Sequence, residues 1–294
     1  MGKILIGLLA CAPFLFAQET PRVVTIQDFM RNVGNTEQQN KQFPPHKIVG
    51  NVYYVGTESL SAFLVTTPQG HILINSIYER NVPTIQDSVQ KLGFKFEDIK
   101  ILLGSHAHGD HQEGDGLVVK LTGARAMAMA EDIPILQMMR SPGDVPRPMY
   151  ETLHDGSEVK LGNVTLTAHH TPGHTPGCTT WTTRVQEKGR PYSIVFQACG
   201  VPNAGVKLVG NTKFPTLVED TLRSFRIQKT LKPDIYLPMH PESYLAGKVE
   251  AIKAGKTPHP LLDPEGYAKL VADTETNFQK RVQEERTKTS PPEK

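Results

Sequence analysis

"LLGSHAHGDHQEGD", Leu102 to Asp115, places His106, His108, Asp110 and His111 within six residues at the end of an aliphatic run. Side chains two apart on extended backbone share a face, so His106 and His108 can point the same way. Gly109 then permits a sharp change of direction that brings Asp110 and His111 round to a second point nearby. One loop can therefore feed two metal ions. Imidazole suits zinc and other borderline ions, and the carboxylate adds a charged oxygen ligand. The plain alternative is a His-rich loop that is merely solvated.

Four ligands do not complete two zinc sites, and the remaining histidines stand where they are needed. In "HHTPGHTPGC", His174 lies between two Pro-Gly turns, 63 residues beyond His111, and in "IYLPMHPE", His240 ends an apolar strand 66 residues further on. Either one alone reads as an ordinary loop histidine. Together with the first loop they read as missing ligands. His169 and His170 compete for the role of His174, but both still belong to a strand, and His170 is expected to lie beside the site.

Strands are expected at Val49 to Val55, Ala62 to Thr67, His71 to Asn75 and Ile99 to Gly104, with a helix over "VPTIQDSVQKLG" between the last two. Ile85, Val89 and Leu92 have helical spacing there, and Gly93 suits the C-cap. The second half repeats the style. "VTLTAHH", "GCTTWTTRV" and "YSIVFQAC" read as strands, "TLVEDTLRSFRIQKTLK" as a helix before the short strand "DIYLPMH", and Pro264 to about Glu285 as a long final helix. Two strand-rich halves with helices outside imply an α/β fold of two sheets packed face to face and covered on their outer faces.

The rest of the chain sets bounds. With 294 residues, 38% of them hydrophobic, it can bury a substantial core, and 32 basic against 30 acidic residues give no basic footprint for nucleic acid or a membrane surface. Lys3, the apolar run Ile4 to Phe16 and the polar Gln18 read as a signal peptide cut near Ala17. A membrane anchor is the weaker reading, because the run is shorter than the roughly 18 residues a spanning helix needs. "LLAC" resembles a lipoprotein box only loosely. The expected organisation is a signal peptide over 1–17, an N-terminal arm over 18–46, one domain over 47–285 and a disordered tail over 286–294. Cleavage would leave Cys178 and Cys199 as the thiols of a periplasmic or secreted protein.

The pattern HxHxDH, then "GH" between turns, then a histidine ending the last strand resembles the metallo-beta-lactamase superfamily. "NVYYVGTESLSAFLVTTPQGHILIN", "HTPGHTPGCTTW" and "AGVKLV" look like its subclass B3 enzymes. The resemblance implies a four-layer αββα sandwich with a dinuclear metal site at the rim between the sheets. It implies two zinc ions, one on His106, His108 and His174 and one on Asp110, His111 and His240. It further implies opening of a beta-lactam ring by a metal-held hydroxide, with Asp110 also orienting the nucleophile and the protein acting as a monomer on a small molecule. Lactonases, thioesterases and phosphodiesterases of the superfamily carry a metal-bridging aspartate after the strand "SIVFQ", where this chain has Cys199 and Gly200. Subclass B1 enzymes use a cysteine near that point but lack a counterpart of His111, so Cys199 is not needed as a ligand. The alternatives are a lactonase or thioesterase of the same superfamily, or a metal-binding module without catalysis.

Departures from the family pattern are visible. After His111 the family usually has one residue and then two glycines; here the run is Gln112, Glu113 and Gly114. Glu113 either adds negative charge beside the metals or is a solvated first-turn carboxylate of the next helix. Pro202 and Val206 stand where many B3 enzymes offer hydroxyls to the substrate, leaving Asn203, with Gly200, as the expected substrate contacts. Finally, a hairpin about Lys188-Gly189 would pair Trp181 with Phe196, Thr183 with Ile194 and Cys178 with Cys199. The two thiols are expected to be cross-strand neighbours that an exported protein could oxidise, although directly opposed strand positions strain the preferred disulfide geometry.

Overall fold

The computed structural model describes residues 36–198, 200–241 and 247–289. The expected signal peptide, residues 18–35 of the arm, Cys199 and the end of the tail lie outside the described residues. Seven strands form one sheet in the order β1 to β7: His46–Val49, Val52–Tyr54, Phe63–Thr67, Gly70–Ile74, Ile99–Leu103, Arg125–Met129 and Tyr150–Leu153. Neighbours up to β4 are antiparallel, and β4 to β7 run parallel. The second sheet has the order β12-β11-β10-β9-β8 and is built from β8 (Glu158–Leu161), β9 (Val164–His170), β10 (Thr179–Glu187), β11 (Arg190–Gln197) and β12 (Ile235–Pro238).

Period-two alternation explains the layers. Phe63, Val65, Ile72, Ile74, Ile101 and Leu103 face inward against Ile194, Phe196, Ile235 and Leu237 of the other sheet. The residues between them, such as Leu64, Leu73 and Leu102, face outward. There they are covered by α2 (Val82–Lys91) and α4 (Asp115–Thr122). On the far side Val195 packs under α6 (Leu217–Thr230) and α8 (Pro264–Thr289), through Phe225, Tyr267 and Phe278. Strands covered on both faces read as unbroken apolar runs, which is why "HILI" and "ILL" carry almost no polar residues. The result is the four-layer αββα sandwich expected from the sequence.

The β10-β11 hairpin has the expected register, with Trp181 opposite Phe196 and Thr183 opposite Ile194. Its turn needs positive φ at Lys188 (50°) and Gly189 (78°). A Cβ at Gly189 would meet nothing within 4 Å, so Gly189→Ala tests backbone conformation alone. It is expected to lower stability by about 1 kcal/mol, read from the denaturant midpoint; no change would show that the turn relaxes freely.

Several boundaries differ from expectation. The segment expected as one strand over Val49 to Val55 is two, because Gly50 adopts φ 56° and turns the chain between β1 and β2. β1 starts at His46, inside the expected arm. Residues just before it are also docked: α1 (Glu37–Asn40) is capped by Thr36, and Gln42 Nε2 donates to Asp87 and Ser88 of α2. At the other end α8 continues through Arg286 to Thr289, residues counted in the expected tail. Cys178 is disulfide-bonded, which answers the question the sequence left open. It precedes β10, outside the paired ladder, so the strand register does not dictate its geometry. Its partner lies outside the described residues. No helix among the described residues is long and apolar enough to cross a membrane.

Candidate metal centre

The aliphatic strand β5 delivers the chain to Gly104, and Ser105 to His108 follow as a bent segment, His108 N donating to His106 O at 2.8 Å, before the one-turn helix α3 (Gly109–Gln112). His174 arrives on the loop between β9 and β10, and His240 directly after β12. All reach one rim. The rings of His106, His108 and His174 sit with centroids 4.7 to 4.8 Å apart. Beside them His111 Nε2 lies 3.2 Å from His240 Nε2 and 3.5 Å from Asp110 Oδ2, while His240 Nε2 is 3.7 Å from that same oxygen. The six candidate ligands thus converge as two trios. His106 is central: its ligand atom is within 4.8 Å of those of His108 and His174, and likewise of those of Asp110 and His111.

The environment suits a cation. Burial, reinforced by the neighbouring imidazoles, holds His106 and His111 well below the usual imidazole range, lowers His174, and brings His108 to about 3. The rings are therefore neutral, the state that offers lone pairs. His174 Nδ1 hydrogen-bonds the Val201 carbonyl at 2.9 Å and His240 Nδ1 the Ser59 carbonyl at 3.2 Å, so each carries its proton on Nδ1 and turns its Nε2 lone pair toward the centre. His106 Nε2 is buried without a hydrogen-bond partner. A buried nitrogen of this kind is costly to leave unpaired, and a bound metal would satisfy it. Zinc, with its preference for imidazole and carboxylate donors, fits both trios.

Depressed imidazoles make a signed prediction for the metal-free protein. Below the ordinary imidazole value of about 6.5 the unfolded chain binds protons that the folded rings refuse, so folding stability falls as pH drops. The loss begins near pH 6.5 and continues down to about pH 3 for His108. Each ring adds up to about 1.4 kcal/mol per pH unit within that window. Denaturant unfolding of the chelated protein at pH 7.5 and pH 5 reads this directly, and equal midpoints would contradict it.

Three polar groups unremarked in the sequence hold the ligand loops. Asp132, fully buried ahead of α5 (Ile133–Met138), accepts hydrogen bonds from Ala107 N at 2.8 Å, Thr175 Oγ1 at 2.8 Å and Gly177 N at 2.7 Å. It thereby ties the His106-His108 segment to the His174 loop, and burial raises its carboxyl to about 6. Gly177 is required there, since a Cβ would lie 2.5 Å from Asp132 N. Arg147 donates to the Gln112 and Glu113 carbonyls at 2.8 Å, holding the end of α3. Asn75 Oδ1 accepts from Ser105 N at 2.9 Å.

The other expected contacts divide. His170 lies beside the site as expected, with Nε2 on the Pro176 carbonyl at 2.7 Å and Nδ1 facing Arg223; His169 pairs with Thr182. Glu113 is buried, its carboxylate accepting from Glu79 N at 3.0 Å, which overturns the reading as a solvated first-turn residue. The chain turns tightly there, making Glu113 the cap of α3. A cavity of about 750 Å³ opens beside His108 and His174, lined also by Pro202, Asn203, Val206 and Phe214. Asn203 stands on its wall, and Gly200 is not among the residues that line it. Phe214 had no distinguishing signal in the sequence.

Two histidine-rich trios at the rim of an αββα sandwich, open to a cavity, define a metal-dependent hydrolase. The family model described as the metallo-beta-lactamase superfamily matches residues 55–240, and the chain belongs to that superfamily. Among solved structures it is similar to the native FEZ-1 metallo-beta-lactamase from Legionella gormanii, at 39% identity over 84% of this chain and 98% of that one, with a TM-score of 0.78. BJP-1, a subclass B3 metallo-beta-lactamase of Bradyrhizobium japonicum, is 33% identical over 86% of this chain and 99% of its own, also with a TM-score of 0.78. A beta-lactamase from Chitinophaga pinensis is 30% identical over 86% and 99%, with a TM-score of 0.74.

Proposed function

We propose that this chain is a dinuclear zinc beta-lactamase of the B3 type, with His106, His108 and His174 holding one zinc and Asp110, His111 and His240 the other. One observation carries the choice among the superfamily's reactions. Ala198, Cys199 and Gly200 follow β11, so no carboxylate stands there to bridge the metals as in the lactonases and thioesterases. The similarity to beta-lactamases over nearly their whole lengths supports the same reading.

Bound zinc would supply Lewis acidity and a water acidified to a pKa of about 7. The protein supplies placement. His108 and His174 border the cavity, which directs the lactam carbonyl to the three-histidine side. Asp110 presents one carboxylate oxygen toward His111 and His240, and its carboxylate accepts a hydrogen bond from the attacking water. The Asn203 amide donates to the substrate carboxylate, and Pro202, Val206 and Phe214 form an apolar wall for the ring substituents. No serine nucleophile enters: the sequence has no G-x-S-x-G elbow. The protein acts as a monomer, exported to the periplasm or medium after cleavage near Ala17; the disulfide at Cys178 accords with an oxidising compartment.

The purified protein should open a penicillin, a cephalosporin or a carbapenem in preference to a homoserine lactone or a glutathione thioester. Chelation should abolish that activity, and added zinc should restore it. A lactone opened far faster than every beta-lactam would reject the assignment in favour of a lactonase.

A further inference from the structure

Asn75 follows β4 with φ 67° and is completely buried between the metal loop and the segment bearing His240. Its Oδ1 accepts from Ser105 N at 2.9 Å, which fixes the orientation of the amide. Its Nδ2 therefore faces Ser61 O at 3.3 Å, Met239 Sδ at 3.1 Å and His111 Nδ1 at 3.2 Å. An amide nitrogen only donates, so His111 Nδ1 must be the acceptor and the ring proton must sit on Nε2. That is the nitrogen turned toward Asp110 and His240. A metal there needs the Nε2 lone pair, which moves the proton to Nδ1 and sets N–H against N–H in a site without water access. Rotating the amide does not help: the NH2 group would then face Ser105 N–H and lose the Ser61 carbonyl. His174 and His240 have no such conflict, since carbonyls face their Nδ1 atoms. The hydroxyl near His106 Nδ1, Ser105 Oγ at 3.2 Å, can accept or donate.

We propose that Asn75 is a positioning residue that holds metal-free His111 in the tautomer a metal cannot use, making the Asp110-His111-His240 trio the weaker, second-filled zinc site. The inference rests on the reading of both trios as zinc sites. A carboxylate at this position would accept from both Ser105 N–H and His111 Nδ1–H. Asn75→Asp is therefore expected to tighten the second zinc by about tenfold or more, with the first changed by less than about threefold, judging by what such outer partners do to metal sites elsewhere. Competition against a chromophoric chelator reads both affinities without any assay of activity. Nitrogen-15 NMR of the metal-free natural protein should show His111 protonated on Nε2. That measurement separates the proton's position from the mere addition of charge, and it does not depend on how the variant folds. An Nδ1-protonated His111, or a second zinc bound no more tightly by the aspartate variant, overturns the inference alone. A natural protein that binds no zinc overturns the metal-site reading and the inference with it.

Discussion

His174→Ala should bind one zinc where the natural protein is expected to bind two, and should lose about a thousandfold or more in kcat/KM toward a beta-lactam, roughly 4 kcal/mol of transition-state stabilisation. His174 serves two ends at once. Its Nδ1 is held by the Val201 carbonyl, which aims Nε2 at the rings of His106 and His108, and its outer edge lines the cavity. Two imidazoles left behind cannot close a tetrahedral site, and the polarising charge on the cavity side is lost with the ion. The ring sits on a loop, so the chelated variant should unfold close to the chelated natural protein. Elemental analysis with steady-state kinetics decides the point: two zinc ions per chain with full activity would mean that His174 is not a ligand.

Asp132→Ala should cost about 3–5 kcal/mol of stability, since it strips three buried donors of their acceptor at once. The donors are Ala107 N, Thr175 Oγ1 and Gly177 N, one between two ligands of the first trio and two just after the third. Loss of the tie should therefore weaken the first zinc as well as the fold. Asp132→Asn keeps the size but turns an NH2 group toward N–H donors, and should recover only part of the loss. Denaturant midpoints of the chelated proteins, followed by zinc titration, separate the two effects. A change under 1 kcal/mol for the alanine variant would show that the loops hold their positions independently of Asp132.

Much of this was legible because periodicity and spacing are strong signals where both faces of a strand are buried. β9 has its expected bounds, and the β10-β11 register follows from matching Trp181 with Phe196 about the Lys188-Gly189 turn. By contrast β6, β7 and β8 went unread. "RAMAM" is short and rich in small residues, and the alternating charges of "YETL" and "EVKL" suit edge strands that propensity hardly separates from loop. The five-residue α7 (Val249–Lys253) and α5 are too short to form on propensity and exist through packing. In the site, six ligand-type residues were visible because donors at two-residue and strand-end spacing are rare. Asn75 and Asp132 were not. Asp132 before Ile133-Pro134 looks like a helix cap, yet its side chain makes no cap hydrogen bond and reaches two distant loops instead. Long-range partners of a single polar residue leave no mark in its neighbourhood.

The sheets divide the chain cleanly, β1 to β7 ending at Leu153 and β8 to β12 beginning at Glu158. The first zinc, as assigned, would take His106 and His108 from the earlier sheet's side and His174 from the later one; the second takes Asp110 and His111 with His240. Each ion would then be a rivet through a seam, although His106, Asp110 and His111 also converge within the earlier half. If zinc binds as proposed, its supply would govern survival of the fold as well as turnover: free metal at a hundred times its dissociation constant would add about 2.7 kcal/mol against opening of the seam. Metal removal would both silence such an enzyme and expose it to proteases, so the link between Leu153 and Glu158 is where a protease should first leave cut fragments of the chelated protein.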